Sequence, residues 1–153
     1  MAHIHEKIDI TATAYIVFQN KVLLRMHDKY NKWLAVGGHV ELDEDPNQAI
    51  IREIKEEVGL DVKLIDNRGL NLDSEKYKEL IPPRFMNIHY VNETHRHMDM
   101  IYFVNSNTDK VEPGGDDQSP LWKWFMKQEL YDPKYNLDKP IVYYAETALS
   151  ELS

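Results

Sequence analysis

Residues 38–60 read GHVELDEDPNQAIIREIKEEVGL, and most of this stretch carries the marks of a helix. Pro46 suits a first helical position, where no amide donor is needed, and Gly59 suits the residue just past the end. At about 100° per residue, Ile50, Ile51, Ile54 and Val58 fall on one arc. Glu53, Glu56 and Glu57 fall on another, roughly a third of a turn away. One face is made to enter a core, and the next gathers three carboxylates.

That acidic cluster works against the helix. Like charges three or four positions apart cost roughly 0.2–0.5 kcal/mol per pair. The C-terminal half of a helix also disfavours anions, because the peptide dipoles leave it partly negative. A solvated acidic face would account for the charges alone. It would not account for the Gly37-Gly38 pair before the helix, nor for Glu44 on the approach to it. A hard divalent cation would turn the repulsion into chelation, since Mg²⁺ and Mn²⁺ prefer oxygen ligands.

The spacing is Gly38, five residues, Glu44, seven residues, Arg52-Glu53-Ile54, one residue, Glu56-Glu57, one residue, Gly59-Leu60. It resembles the signature of the MutT-like Nudix hydrolases, with all nine specified positions filled. The resemblance implies an α/β fold, a Nudix-type α/β/α sandwich with a central mixed sheet. It implies Mg²⁺ or Mn²⁺ held by Glu53, Glu56 and Glu57, with a backbone carbonyl at Gly37 or Gly38 adding a ligand. It implies a catalytic set of Arg52, Glu44, Glu53 and Glu57, in which Arg52 orients a glutamate. The plain alternative for Arg52 is a surface pair with Glu56, one turn on. Glu44 either reaches the metal through a water or pairs with Arg52. The general base is either Glu53 or an acid of a later loop, with Glu112, Asp116 and Asp117 as candidates.

The rest of the chain is consistent with this. With 153 residues it reads as a single domain, 1–153, long enough to bury a real core. A net charge of −8 argues against a stable nucleic-acid complex, which wants a basic surface. It does not argue against a small nucleotide-type substrate, because a bound metal supplies local positive charge. There are no cysteines, which removes disulfides, thiolate zinc sites and a cysteine nucleophile, and the expected place is the cytoplasm. No apolar run approaches transmembrane length.

Ile8 to Phe18 and Lys21 to Met26 read as strands joined at a Gln19-Asn20 turn. His27 to Lys32 is a polar loop, and Trp33 to Val36 is a short strand leading to Gly37-Gly38. After the helix, Val62 to Leu72 reads as a long strand and Asp73 to Arg84 as a loop. Phe85 to Val91, Met98 to Val104 and Leu121 to Met126 read as strands, with a polar loop at 105–119, and Asp138 to Leu152 as a closing helix. Gly38, His27, Lys32 and Tyr30 are the candidates for contacting substrate, the glycine because backbone without a Cβ admits phosphate. His39 is read as facing solvent or hydrogen-bonded. Aromatic partners for a leaving group are sought among Tyr30, Trp33, Tyr90, Trp122, Trp124 and Tyr131, with core packing the better reading for Trp33 and Trp124. His95, His97 and Asp99 alternate and so share one face of a strand, as a polar wall or a His/His/Asp metal site.

Together these readings predict a divalent-metal-dependent hydrolase of a diphosphate linkage in a nucleoside diphosphate joined to another moiety. The alternative is a nucleotide-binding sensor domain of the same fold without turnover. A homodimer is left open by the sequence.

Overall fold

The computed structural model describes residues 7–113 and 121–152. The chain opens with β1 (Ile8–Phe18). It reverses at Gln19 and Asn20, which both take positive φ, 43° and 63°. Two consecutive left-handed residues give a turn whose twist matches that of the flanking strands. There follow β2 (Lys21–His27), β3 (Lys32–Leu34), β4 (Val36–His39), α1 (Pro46–Val58), β5 (Phe85–Tyr90), β6 (Arg96–Asn105), β7 (Trp122–Met126) and α2 (Lys139–Leu152).

The seven strands make one sheet in the order β3-β2-β1-β6-β5, with β4 also pairing β1 and β7 also pairing β2. β1 and β6 run parallel, Ile8 opposite Arg96 through Val17 opposite Asn105. The other pairings are antiparallel. The sheet is therefore mixed, as expected. Side chains alternate across a strand, so β1, apolar without a break from Ala14 to Phe18, feeds two cores. Ala12, Ala14 and Ile16 pack with Ile50, Ile54 and Val58 of α1. Tyr15 and Val17 pack on the other face with Ile141, Ala145, Ala148 and Leu149 of α2. The sheet thus lies between the two helices.

α1 begins and ends as its sequence punctuation demands. Asp45 caps the start by accepting from the Gln48 amide, Gln48 reciprocates towards the Asp45 amide, and Pro46 follows at the first position. Gly59 ends it with φ 70°.

Several expectations are corrected. Val62–Leu72 forms no strand. The chain bends at Arg68, whose amide donates to the Asp66 carboxylate at 3.0 Å, and Gly69 sits at φ 67°. A side chain that captures its neighbours' backbone offers an alternative to the ladder, and here it wins. The expected strand at Trp33–Val36 is split into β3 and β4 around Ala35, and β6 starts two residues before Met98. Residues 127–135, which carry no periodic signal, form two 3-10 turns, Lys127–Tyr131 and Pro133–Tyr135. On α1, Ile51 is 40% exposed, whereas Asn47 and Glu57 are buried. Among the described residues, no helix is long and apolar enough to cross a membrane.

Candidate active site

β4 brings Gly37 and Gly38 against β1, with Gly37 opposite Thr13 and Gly38 opposite Ala12. A Cβ on Gly37 would collide with the Ala12 carbonyl and Thr13, and a Cβ on Gly38 would collide with the Glu53 carboxylate. These glycines therefore let strand and helix approach closely. The Glu53 carboxylate fills the space a Gly38 side chain would occupy.

Arg52 organises the acids around it. Its Nε donates to Glu44 at 3.0 Å and its Nη2 to the other Glu44 oxygen at 2.6 Å, a bidentate pair. Its Nη1 donates to Glu53 at 3.0 Å and to Glu56 at 3.1 Å. Its Nη2 also reaches the His39 carbonyl, at 3.1 Å, which fastens the helix to β4. Glu44 also accepts from the Glu41 amide at 3.0 Å. The Arg52 guanidinium beside Glu44 holds that carboxyl below its ordinary value, against a smaller opposing effect of burial. Glu53 is pushed up by burial and by Glu56, an effect that Arg52 and a hydrogen bond with Glu57 only partly offset.

Glu57 is buried and turns towards β2, where Arg25 Nε lies 2.9 Å from its carboxylate. The sequence did not single out Arg25. It stands on a strand distant from the helix in sequence, and nothing local marks it as a partner. Four carboxylates thus face two guanidinium groups, which leaves two negative charges in one place. That charge and an all-oxygen donor set fit a hard divalent cation. As they stand, the three glutamates do not converge on one point: Arg52 holds Glu53 and Glu56 and Arg25 holds Glu57, although Glu57 and Glu53 meet.

The other candidates disperse. Glu112 lies at the far end of α1, where its amide donates to the Val58 carbonyl at 2.9 Å and its side chain is exposed. Asp116 and Asp117 lie outside the described residues. Lys32 is held by Asp138 just ahead of α2, at 3.1 Å, and His27 stacks on Tyr30 at 4.7 Å between ring centroids. Tyr30 lines a recess with Asp9, His39, His95 and His97, on the sheet face away from α1. Trp33 packs edge-on against Phe125 and Tyr135, and the Trp124 indole donates to the Asp109 carbonyl at 3.0 Å.

The His/His/Asp grouping is rearranged. Asp99 accepts from the Thr11 and Thr13 hydroxyls, at 3.0 and 2.9 Å, and does not join the histidines. Asp9 takes its place, 2.7 Å from His95 Nε2. Asp9 stands opposite His97 through the parallel β1–β6 register, a pairing that no local pattern announces.

Comparison with known proteins agrees with this architecture. A family model described as the NUDIX domain matches residues 8–145. A hydrolase of the NUDIX family from Clostridium perfringens is 35% identical, with 95% of this chain and 98% of that chain covered and a TM-score of 0.86. A MutT NUDIX hydrolase from Burkholderia pseudomallei shares the fold at 19% identity, covering 97% of this chain and 100% of that one, TM-score 0.65. An ADP-ribose pyrophosphatase from Streptococcus suis shares it at 17% identity, covering 95% and 92%, TM-score 0.58.

Proposed function

The chain belongs to the Nudix hydrolase family, and from that premise we propose that it hydrolyses the diphosphate linkage of a nucleoside diphosphate joined to another moiety, with Mg²⁺ or Mn²⁺ bound among Glu53, Glu56 and Glu57. The family generally carries out metal-dependent hydrolysis of nucleoside diphosphate derivatives. The carrying observation is the filled signature arranged about Arg52, with four acids gathered around two guanidinium groups.

When bound, a divalent ion there neutralises phosphate oxygens and lowers the pKa of a coordinated water. The chain's own residues do the positioning. Arg52 keeps Glu53 and Glu56 on the same side of α1 and fixes the helix to the His39 carbonyl. The Arg25 guanidinium holds Glu57 in place. Gly37 and Gly38, lacking a Cβ, let β4 close on β1 and on the Glu53 carboxylate, which keeps that acid at the sheet. Among the described base candidates, we assign the water's proton to Glu53. Its carboxylate stands at Gly38 and Arg52, whereas Glu112 points outward from the far end of the helix.

The test is a panel of nucleoside diphosphate sugars, ADP-ribose, dinucleoside polyphosphates and nucleoside triphosphates with Mg²⁺ or Mn²⁺. Turnover of at least one is expected, and Glu57→Gln is expected to lower kcat by about 100-fold or more. Turnover of none across pH 6–9, or near-normal kcat in Glu57→Gln with the fold kept, removes the proposal.

A further inference from the structure

On the face of the sheet that carries α2, the rungs change character along the strands. The rung Phe85–Ile101–Thr13 adjoins the α2 core. The next, Asn87–Asp99–Thr11, is amide, carboxylate and hydroxyl. The third, His89–His97–Asp9, is imidazole and carboxylate, and His39 of β4 stands beside Thr11 on the same face. The His97 ring lies 4.9 Å from that of His39, 5.6 Å from that of His89 and 5.8 Å from that of His95, between centroids. The hydrolysis argued above uses none of these imidazoles.

We propose that Asp9, His95 and His97 form a binding site for a borderline transition ion, with zinc as the reference case and His39 as the fourth donor. One donor atom from each of Asp9, His95 and His97 lies within 4.8 Å of the others, and among the described residues no other such group of three occurs. Asp9 Oδ2 stands 2.7 Å from His95 Nε2 and 3.2 Å from His39 Nε2. Donors around a tetrahedral zinc, at bonds of about 2.0–2.1 Å, stand about 3.3 Å apart. His39 stands outside that group of three and is exposed, so an inward movement of its ring together with His97 completes the set.

The surroundings are built to hold these donors. Asn92 Oδ1 accepts the amides of Thr94 and His95, both at 2.9 Å, which fixes the turn that presents His95. His89 packs edge-on against His97 and is itself held by Asn87 Oδ1, 2.8 Å from His89 Nδ1. These contacts fix the turn and the ring packing from which His95 and His97 reach an ion. Imidazole selects zinc, nickel or copper, whereas the glutamates of α1 suit magnesium or manganese. The two sites would therefore not compete for one ion. β4 stands between them: Gly38 abuts Glu53, and the next residue, His39, offers its side chain to the histidine cluster. An ion held by Asp9, His39, His95 and His97 ties β4 to β1 and β6 behind the catalytic carboxylates.

Lys29 reaches the rim of the same recess, its ammonium 5.4 Å from the centre of the Tyr30 ring. An anion is therefore the competing occupant, and inorganic phosphate is the probe for it. The test titrates Co²⁺ and Zn²⁺ into a Glu56→Gln/Glu57→Gln variant, which weakens the oxygen site. One ion per chain and the visible absorption of four-coordinate cobalt are expected, with affinity falling about 100-fold on adding His95→Ala and His97→Ala. In parallel, wild-type crystals soaked in zinc should show an anomalous peak between Asp9 and His97, a measurement that needs no variant. No peak there overturns the proposal. So does cobalt binding that survives loss of both histidines, or imidazole NMR signals that respond to phosphate but not to zinc. None of these readouts depends on hydrolysis, so the site and the proposed activity stand or fall separately.

Discussion

Arg52 uses all five donors of its guanidinium group in the hydrogen bonds it makes: two with Glu44, one each with Glu53 and Glu56, and one with the His39 carbonyl. The sequence left Glu44 between a water-mediated ligand and an arginine partner, and in the structure it is engaged as the partner. Its depressed carboxyl fixes the sign of a pH effect. A carboxylate whose folded value lies below the unfolded one, near 4.5, contributes stability that is present above 4.5 and is lost as pH falls through the folded value. Urea unfolding from pH about 3 to 7 should therefore show wild type and Glu44→Gln converging at the acid end and separating as pH rises. Parallel curves would remove the Arg52 pair as the cause. The same variant should lose about 10–100-fold in kcat, because Arg52 is then held less firmly. Gly38→Ala tests the other contact. A methyl group there displaces the Glu53 carboxylate, so activity should fall by at least about 10-fold while circular dichroism stays that of the wild type.

At the scale of elements, α1 was legible because its signals are local. Pro46, Gly59 and the spacing of Ile50, Ile54 and Val58 each act within a few residues and lie where the helix begins, ends and packs, whereas Ile51, expected on the same arc, is exposed. Asp45→Ala should cost about 1 kcal/mol in urea unfolding, the usual size of a lost N-cap. The Lys78–Asp45 pair, at 2.6 Å, adds little to this because the lysine is half-exposed. A loss near zero would show that Gln48 alone sustains the cap. The segment after the helix has the alternating apolar residues of a strand, yet it forms none. The loop that follows it is anchored by Asn47, the second residue of α1, whose side-chain amide donates to the Ile81 carbonyl at 2.9 Å and accepts the Ile81 amide at 2.8 Å. That exchange satisfies backbone groups as a neighbouring strand would. It joins residues 34 positions apart, beyond the reach of any periodicity. The far end of α1 is closed in a similar way. The Glu112 carbonyl sits where a side chain on Gly59 would stand.

At the scale of the whole molecule, the sheet separates two chemistries. Oxygen donors gather on the α1 face, and imidazoles gather on the face that α2 leaves open. An ion that binds the folded state alone stabilises it by mass action, by about 2.7 kcal/mol at 100 times its Kd. Magnesium should therefore raise Tm by several degrees in wild type and by much less in Glu56→Gln/Glu57→Gln, read by calorimetry with a chelator control. An equal rise in both would place the stabilising ion elsewhere. By itself the sequence determined the strand-rich α/β class, the helix with its Pro46 start and Gly59 end, and the acids and arginine of the signature, because each rests on local spacing. Tertiary structure decided that Glu57 leans on Arg25, that Lys32 is spent on Asp138, and that Asp9 rather than Asp99 joins the histidines. Those pairings are set by strand register and by the packing of helices on the sheet, which bring together residues whose separation along the chain leaves no local trace.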